Sequence, residues 1–246
     1  MTTTELVVII GISVVAALLK SVTGLGYPLL LVPALALFLS IAEAIVIVAP
    51  SNLILNGQIA WVNRSSASGA RTIRPIVVTG VIGAIVGTIL LPILPDTGLR
   101  IVLIGIIVGF LISRRRQGEE TSESDSTKTD RFAMPVGFVA GIFQGAAGIS
   151  GPILSAWFLS RKIAVDAFVF AVTSTFAVTG AAQLAVLLFQ PEFSSDLVTG
   201  LILIPFAILM VPVGGLIRAR MDTSRFESLV IAVLIAAAIS LIVRLL

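Results

Sequence analysis

Apolar runs separated by short polar breaks occupy almost the whole chain. In the first half they lie at 4–20, 28–39, 42–61, 75–94 and 99–112. In the second half they lie at 132–147, 152–160, 164–189, 197–217 and 226–243. Most are long enough, or nearly so, to read as membrane-crossing helices. The second run of each half is too short. Twelve helical residues reach about 18 Å, against a hydrocarbon core of about 30 Å. The first two runs of each half are therefore expected to form a helical hairpin in the membrane. The N-terminal run has no basic segment before it and no small-residue cleavage site after it, so it reads as part of the fold rather than a cleavable signal.

The hairpin tips share a pattern. SVTGLGYPLLLVP covers 21–33 and AAGISGPILSAWF covers 146–158, and each places Gly, a small polar residue and Pro within an apolar run. Gly24-Leu-Gly-Tyr-Pro28 lies over Gly148-Ile-Ser-Gly-Pro152 at an offset of 124 residues. Glu43-Ala44 lies over Asp166-Ala167 at 123, and in that register Ser51-Asn52 meets Ser174-Thr175. The pattern predicts an internal duplication: a first membrane repeat over 1–112, a polar linker over 113–131 and a second membrane repeat over 132–246. The linker, SRRRQGEETSESDSTKTDR, has no apolar periodicity and reads as flexible.

Charge orients the repeats. If each hairpin returns to the side it entered from, thirteen Lys and Arg residues fall on one side, in loop 62–74, linker 113–131, residues 161–162 and loop 218–225; two, Arg100 and Arg244, fall on the other. The positive-inside rule makes the rich side cytoplasmic and places both termini outside. The halves then cross the membrane in opposite senses. The expected fold is an all-α integral membrane protein of two inverted repeats, each a re-entrant or broken helical hairpin followed by three transmembrane helices. Inverted repeats with Gly/Pro-interrupted segments at matching positions are a pattern of secondary transporters, and the interruptions point to the binding site.

The chemistry of the tips fits an anion. A broken helix frees backbone groups, which lipid tolerates only where protein or a wet cavity surrounds them. Helix N-termini carry partial positive charge, and glycine permits close approach of a ligand to the backbone. Lys20 is the one cation in an apolar run beside a hairpin tip, and its counterpart is Gln144. A charge there is either functional or snorkels to the interface. The candidate substrate ligands are Lys20, Thr23, Gly24, Gly26, Tyr27, Asn52 and Asn56 from the first half. Gln144, Gly148, Ser150, Gly151, Ser174, Thr175 and Gln183 are those from the second. Gly80, Gly83 and Gly87 are expected to mediate close helix packing. Glu43 and Asp166 are expected at interfaces, and Trp61 and Trp157 are expected as interface anchors.

A duplicated apolar chain of this length, with a Gly-rich stretch and Pro early in each half and a polar linker between, resembles the TauE/SafE family of sulfite exporters. The resemblance implies secondary transport of sulfite or a small organosulfur anion such as a sulfonate across the bacterial inner membrane. An anion channel, or a carrier of another small carboxylate or inorganic anion, is the alternative.

Composition narrows the remaining classes. The 246 residues are 57% hydrophobic and 12% charged, with no Cys and no His. The chain has no thiolate or imidazole chemistry and no paired acids in mid-span, which argues against an enzyme. No metal or cofactor is expected. The expected partners are the bilayer and a small anion, without nucleic acid, and a homodimer is left open.

Overall fold

A computed structural model describes residues 3–35, 39–69, 73–93, 95, 97–98, 132–161 and 163–222, together with 224–226, 228–229, 231–232, 235 and 239. The expected span 99–112, the linker 113–131 and most of 226–243 lie outside the described residues, as do Arg100, Arg114, Lys128 and Arg244 from the charge partition.

The described chain is all-helical. The helices are α1 (Thr3–Thr23), α2 (Tyr27–Leu35), α3 (Ile41–Val62), α4 (Ile73–Leu90), α5 (Ala133–Ala147), α6 (Gly151–Leu159), α7 (Val165–Leu187), α8 (Ser194–Leu201) and α9 (Ile204–Arg218). Three of them, α3, α4 and α7, are long and apolar enough to cross a membrane. The pair Pro191–Leu201 and Ile204–Arg218, bent by 51°, makes a fourth if counted as one span. Apolar side chains turned outward, such as Val78, Ile82 and Ile89 on α4 and Leu209, Val213 and Leu216 on α9, provide a lipid-facing surface. The chain is a multi-pass integral membrane protein.

Two sequence expectations change. The run 197–217, expected to be one span, is two helices meeting at 202–203, between Gly200 and Pro205. Gly200 permits the bend to press on α3, because a Cβ there would strike the Ile47 carbonyl. Helix α1 runs to Thr23, past the expected end of its run at residue 20, so Lys20 sits in its last turn.

The helix breaks are closed by their own residues. Gly24 and Gly148 take left-handed conformations, with φ of 78° and 66°. The Gly24 N–H donates to the Lys20 carbonyl at 2.7 Å, and the Gly148 N–H to the Gln144 carbonyl at 3.0 Å. The Gly148 bond is the αL glycine cap, and the second break adds an Ile149 N–H bond to the Phe143 carbonyl at 3.3 Å. The first uses Thr23 instead: its hydroxyl accepts from the Leu25 N–H and lies 3.0 Å from the Leu25 carbonyl.

Packing also runs in matched pairs. Gly24 lies against Val169 of α7, and Gly148 against Ile45 of α3, contacts related by a shift of 124 residues. Helix α4 packs on α5, α9 packs on α1, and α3 packs on α7. The α4–α5 contact is backbone on backbone. A Cβ at Gly83 would strike the Phe138 carbonyl, one at Gly141 the Gly80 carbonyl, and one at Gly145 the Ala84 carbonyl. With no hydrophobic drive between helices in lipid, such small-residue contacts and the bonds they permit hold the helices together. Thr79 adds one, its hydroxyl donating to the Met134 carbonyl at 2.8 Å.

Candidate functional site

Both helix breaks face one small cavity. It is lined by Lys20 of α1, residues 25, 26, 28 and 29 of the first tip, Asn52 of α3, Gln144 of α5, residues 148–151 of the second tip, and Phe176 of α7. Its lining contains four pairs separated by 124 residues: Lys20 with Gln144, Leu25 with Ile149, Gly26 with Ser150, and Asn52 with Phe176. This register, rather than the 123-residue offset that placed Asn52 opposite Thr175, carries through α3 and α7. The cavity volume is about 10 Å³, the room of a single water.

Lys20 is 1% exposed. Its Nζ donates to the Gly24 carbonyl over a long 3.4 Å and lies 4.7 Å from the centroid of the Phe176 ring. No carboxylate lines the cavity among the described residues. An ammonium group held in this way has far less compensation than a buried charge normally receives. The snorkelling alternative does not fit this placement.

The second tip replaces the charge with a chain of amides. Ser150 Oγ donates to Gln144 Oε1 at 2.9 Å, Gln144 Nε2 donates to Gln183 Oε1 at 3.2 Å, and Gln183 Nε2 donates to the Gly145 carbonyl at 3.2 Å. On the other wall, Asn52 Oδ1 accepts from Asn56 Nδ2 at 3.2 Å.

Seven of the fourteen sequence-derived ligands line the cavity: Lys20, Gly26, Asn52, Gln144, Gly148, Ser150 and Gly151. The other seven do not. Gln183 and Asn56 stand behind it and bond to lining residues. Thr23 and Gly24 shape the first break. Tyr27 is buried, with its hydroxyl bridging Ser13 at 2.9 Å and Ser51 at 3.0 Å. Thr175 bonds back to its own helix at the Ala171 carbonyl, and Ser174 is half-buried away from the cavity.

One polar cluster was not apparent in the sequence. Arg218, at the end of α9, is buried and pairs with Asp166 at 3.1 Å. It also donates to the Ser21 carbonyl at 2.8 Å and to Asn63 Oδ1 at 2.5 Å. Four helix ends are tied by one guanidinium. Glu43 has a local role: it forms a reciprocal cap with Ser40 at the start of α3. Trp61 is exposed, as an anchor would be, whereas Trp157 is buried with the Arg161 guanidinium 4.5 Å from its ring.

The family model described as sulfite exporter TauE/SafE matches residues 9–241. This chain belongs to the TauE/SafE family. It is therefore a member of a membrane transporter family. None of the curated proteins and none of the solved structures matches it.

Proposed function

We propose that the chain is a secondary transporter, and not an enzyme, that exports sulfite or a small organosulfur anion by alternating access around the cavity between the two tips. The observation that carries this reading is Lys20, a buried cation with, among the described residues, a single long hydrogen bond and no acid beside it, at the point where two helix breaks meet. An anion in that cavity would supply the missing compensation. The cavity is too small for an oxyanion as it stands, which fits a closed state between two open ones. The lining pairs, the tip hydrogen bonds and the Gly24 and Gly148 contacts, all repeating at 124 residues, support two inverted repeats as its framework.

In this reading the protein lies in the bacterial inner membrane with linker 113–131 in the cytoplasm and both termini outside, as the charge asymmetry requires. Proteoliposomes loaded with radiolabelled sulfite test the function. Saturable efflux, competed by unlabelled sulfite or a sulfonate, is expected; efflux no faster than from empty liposomes would remove the reading. The orientation has its own test, since the native chain has no cysteine. A membrane-impermeant thiol reagent on intact cells should label Thr2→Cys and spare Ser124→Cys.

A further inference from the structure

The amide chain at the second tip has only one consistent direction. The Gly145 carbonyl can only accept, so the Gln183 group 3.2 Å from it must be Nε2. Gln183 Oε1 therefore faces Gln144, which must present Nε2 to it. Gln144 Oε1 is then turned to Ser150, whose hydroxyl gives up its hydrogen to it at 2.9 Å. The Gln144 oxygen is thus occupied, while the second hydrogen of its Nε2 has no partner among the described residues.

Asn52 is bonded to Asn56, but no carbonyl fixes the direction of that pair, and Asn56 Oδ1 is buried without a partner among the described residues. Lys20 has two ammonium hydrogens beyond the one it shares with Gly24. No Asp or Glu lines the cavity among the described residues. Lys20 and Gln144 turn donors to it, and Ser150 turns the lone pairs of its hydroxyl.

We infer that the cavity selects its anion by protonation state: it takes an oxyanion whose oxygens are all acceptors and discriminates against one of the same shape and charge that carries an O–H. The inference rests on the cavity being the transport site and adds a rule for what enters it. A ligand O–H there would face the N–H donors of Lys20 and Gln144 and would have to find the Ser150 hydroxyl or a spare lone pair of a tip carbonyl, and an unmet buried donor is costly.

Matched pairs of anions isolate the one hydrogen. Methanesulfonate and the monoanion of methylphosphonate, held below its second ionisation, share shape and charge; sulfate and hydrogen phosphate form the dianionic pair. Calorimetric titration of the purified full chain should give dissociation constants about tenfold to a hundredfold lower for the sulfur member of each pair that binds. Ser150→Ala leaves the Gln144 oxygen free to accept, so the ratio should narrow by about threefold to tenfold. Equal affinities within a pair, preference for the phosphorus member, or a ratio unmoved by Ser150→Ala would overturn the rule while leaving the anion site in place. Sulfite binding without binding of either pair would also overturn it, because selection would then be by shape. Failure of every anion to bind, sulfite included, would remove the site itself.

Discussion

The two tips share a backbone and differ in what they offer a ligand. Each ends a helix on a left-handed glycine, Gly24 or Gly148, and starts the next helix with a proline in its first turn. The carbonyl before each new helix, of Gly26 or Ser150, accepts from the Leu30 or Leu154 N–H. At the first tip stands Lys20, a charge with little local direction. At the second stands Gln144, a neutral group whose direction is fixed through Gln183 to a backbone carbonyl. In the proposed site one tip supplies attraction and the other orientation. The two proposed repeats share the break, whose geometry is demanding, and differ in the side chain beside it.

The largest expected effect falls on what the tips share. Gly24→Val and Gly148→Val place a β-branched residue at positive φ, where it is a severe outlier. Both should lose measurable sulfite binding while remaining folded by circular dichroism and gel filtration. Loss in one alone would mean that a single tip forms the site.

Next comes what they do not share. Lys20→Gln makes the first tip resemble the second. A hydrogen bond to a charged group is worth about 1.5–3 kcal/mol, so sulfite affinity should fall by roughly one to two orders of magnitude in a calorimetric titration. Unchanged affinity would remove Lys20 from the site.

Gln183→Leu acts on the second tip at one remove, by freeing Gln144 to rotate. Its expected cost is smaller, about twofold to tenfold in affinity, the worth of a neutral hydrogen bond. Tyr27→Phe is the smallest. It loses the Ser13 and Ser51 bonds, about 0.5–1.5 kcal/mol of stability, and should lower the melting temperature by a few degrees. Sulfite affinity should hardly change, because Tyr27 does not line the cavity.

The sequence already contained much of this comparison. Helices α2, α3, α5, α6 and α7 begin and end within a few residues of the apolar runs, because in an apolar chain the polar and Gly/Pro breaks are the strongest local signal. Lys20 and Gln144 could be singled out for the same reason. The bend between α8 and α9 was missed because the run 197–217 carries no charge and no polar residue marks 202–203; the close seat of Gly200 on α3 is a tertiary fact. The roles of Gln183 and Asn56 were misplaced by one layer. Spacing puts a polar residue on a helix face, but only packing decides whether it reaches a cavity or the residue that does. Arg218 counted as one loop charge among thirteen, and its partners Asp166, Asn63 and Ser21 are 52, 155 and 197 residues away.

That arginine has a consequence for rate. At the end of the molecule where α3 finishes and α7 begins, any opening that parts α1, α3, α7 and α9 must strip the guanidinium of a carboxylate, an amide oxygen and a carbonyl. If the activated state forfeits even one such charged bond, about 1.5–3 kcal/mol, opening there slows by about one to two orders of magnitude. Among the described residues, the polar tie between α4 and the residues following α7 is one 3.5 Å bond, from Gln190 Nε2 to the Thr88 carbonyl. In the proposed cycle, opening at the Arg218 end is therefore expected to be the slower step.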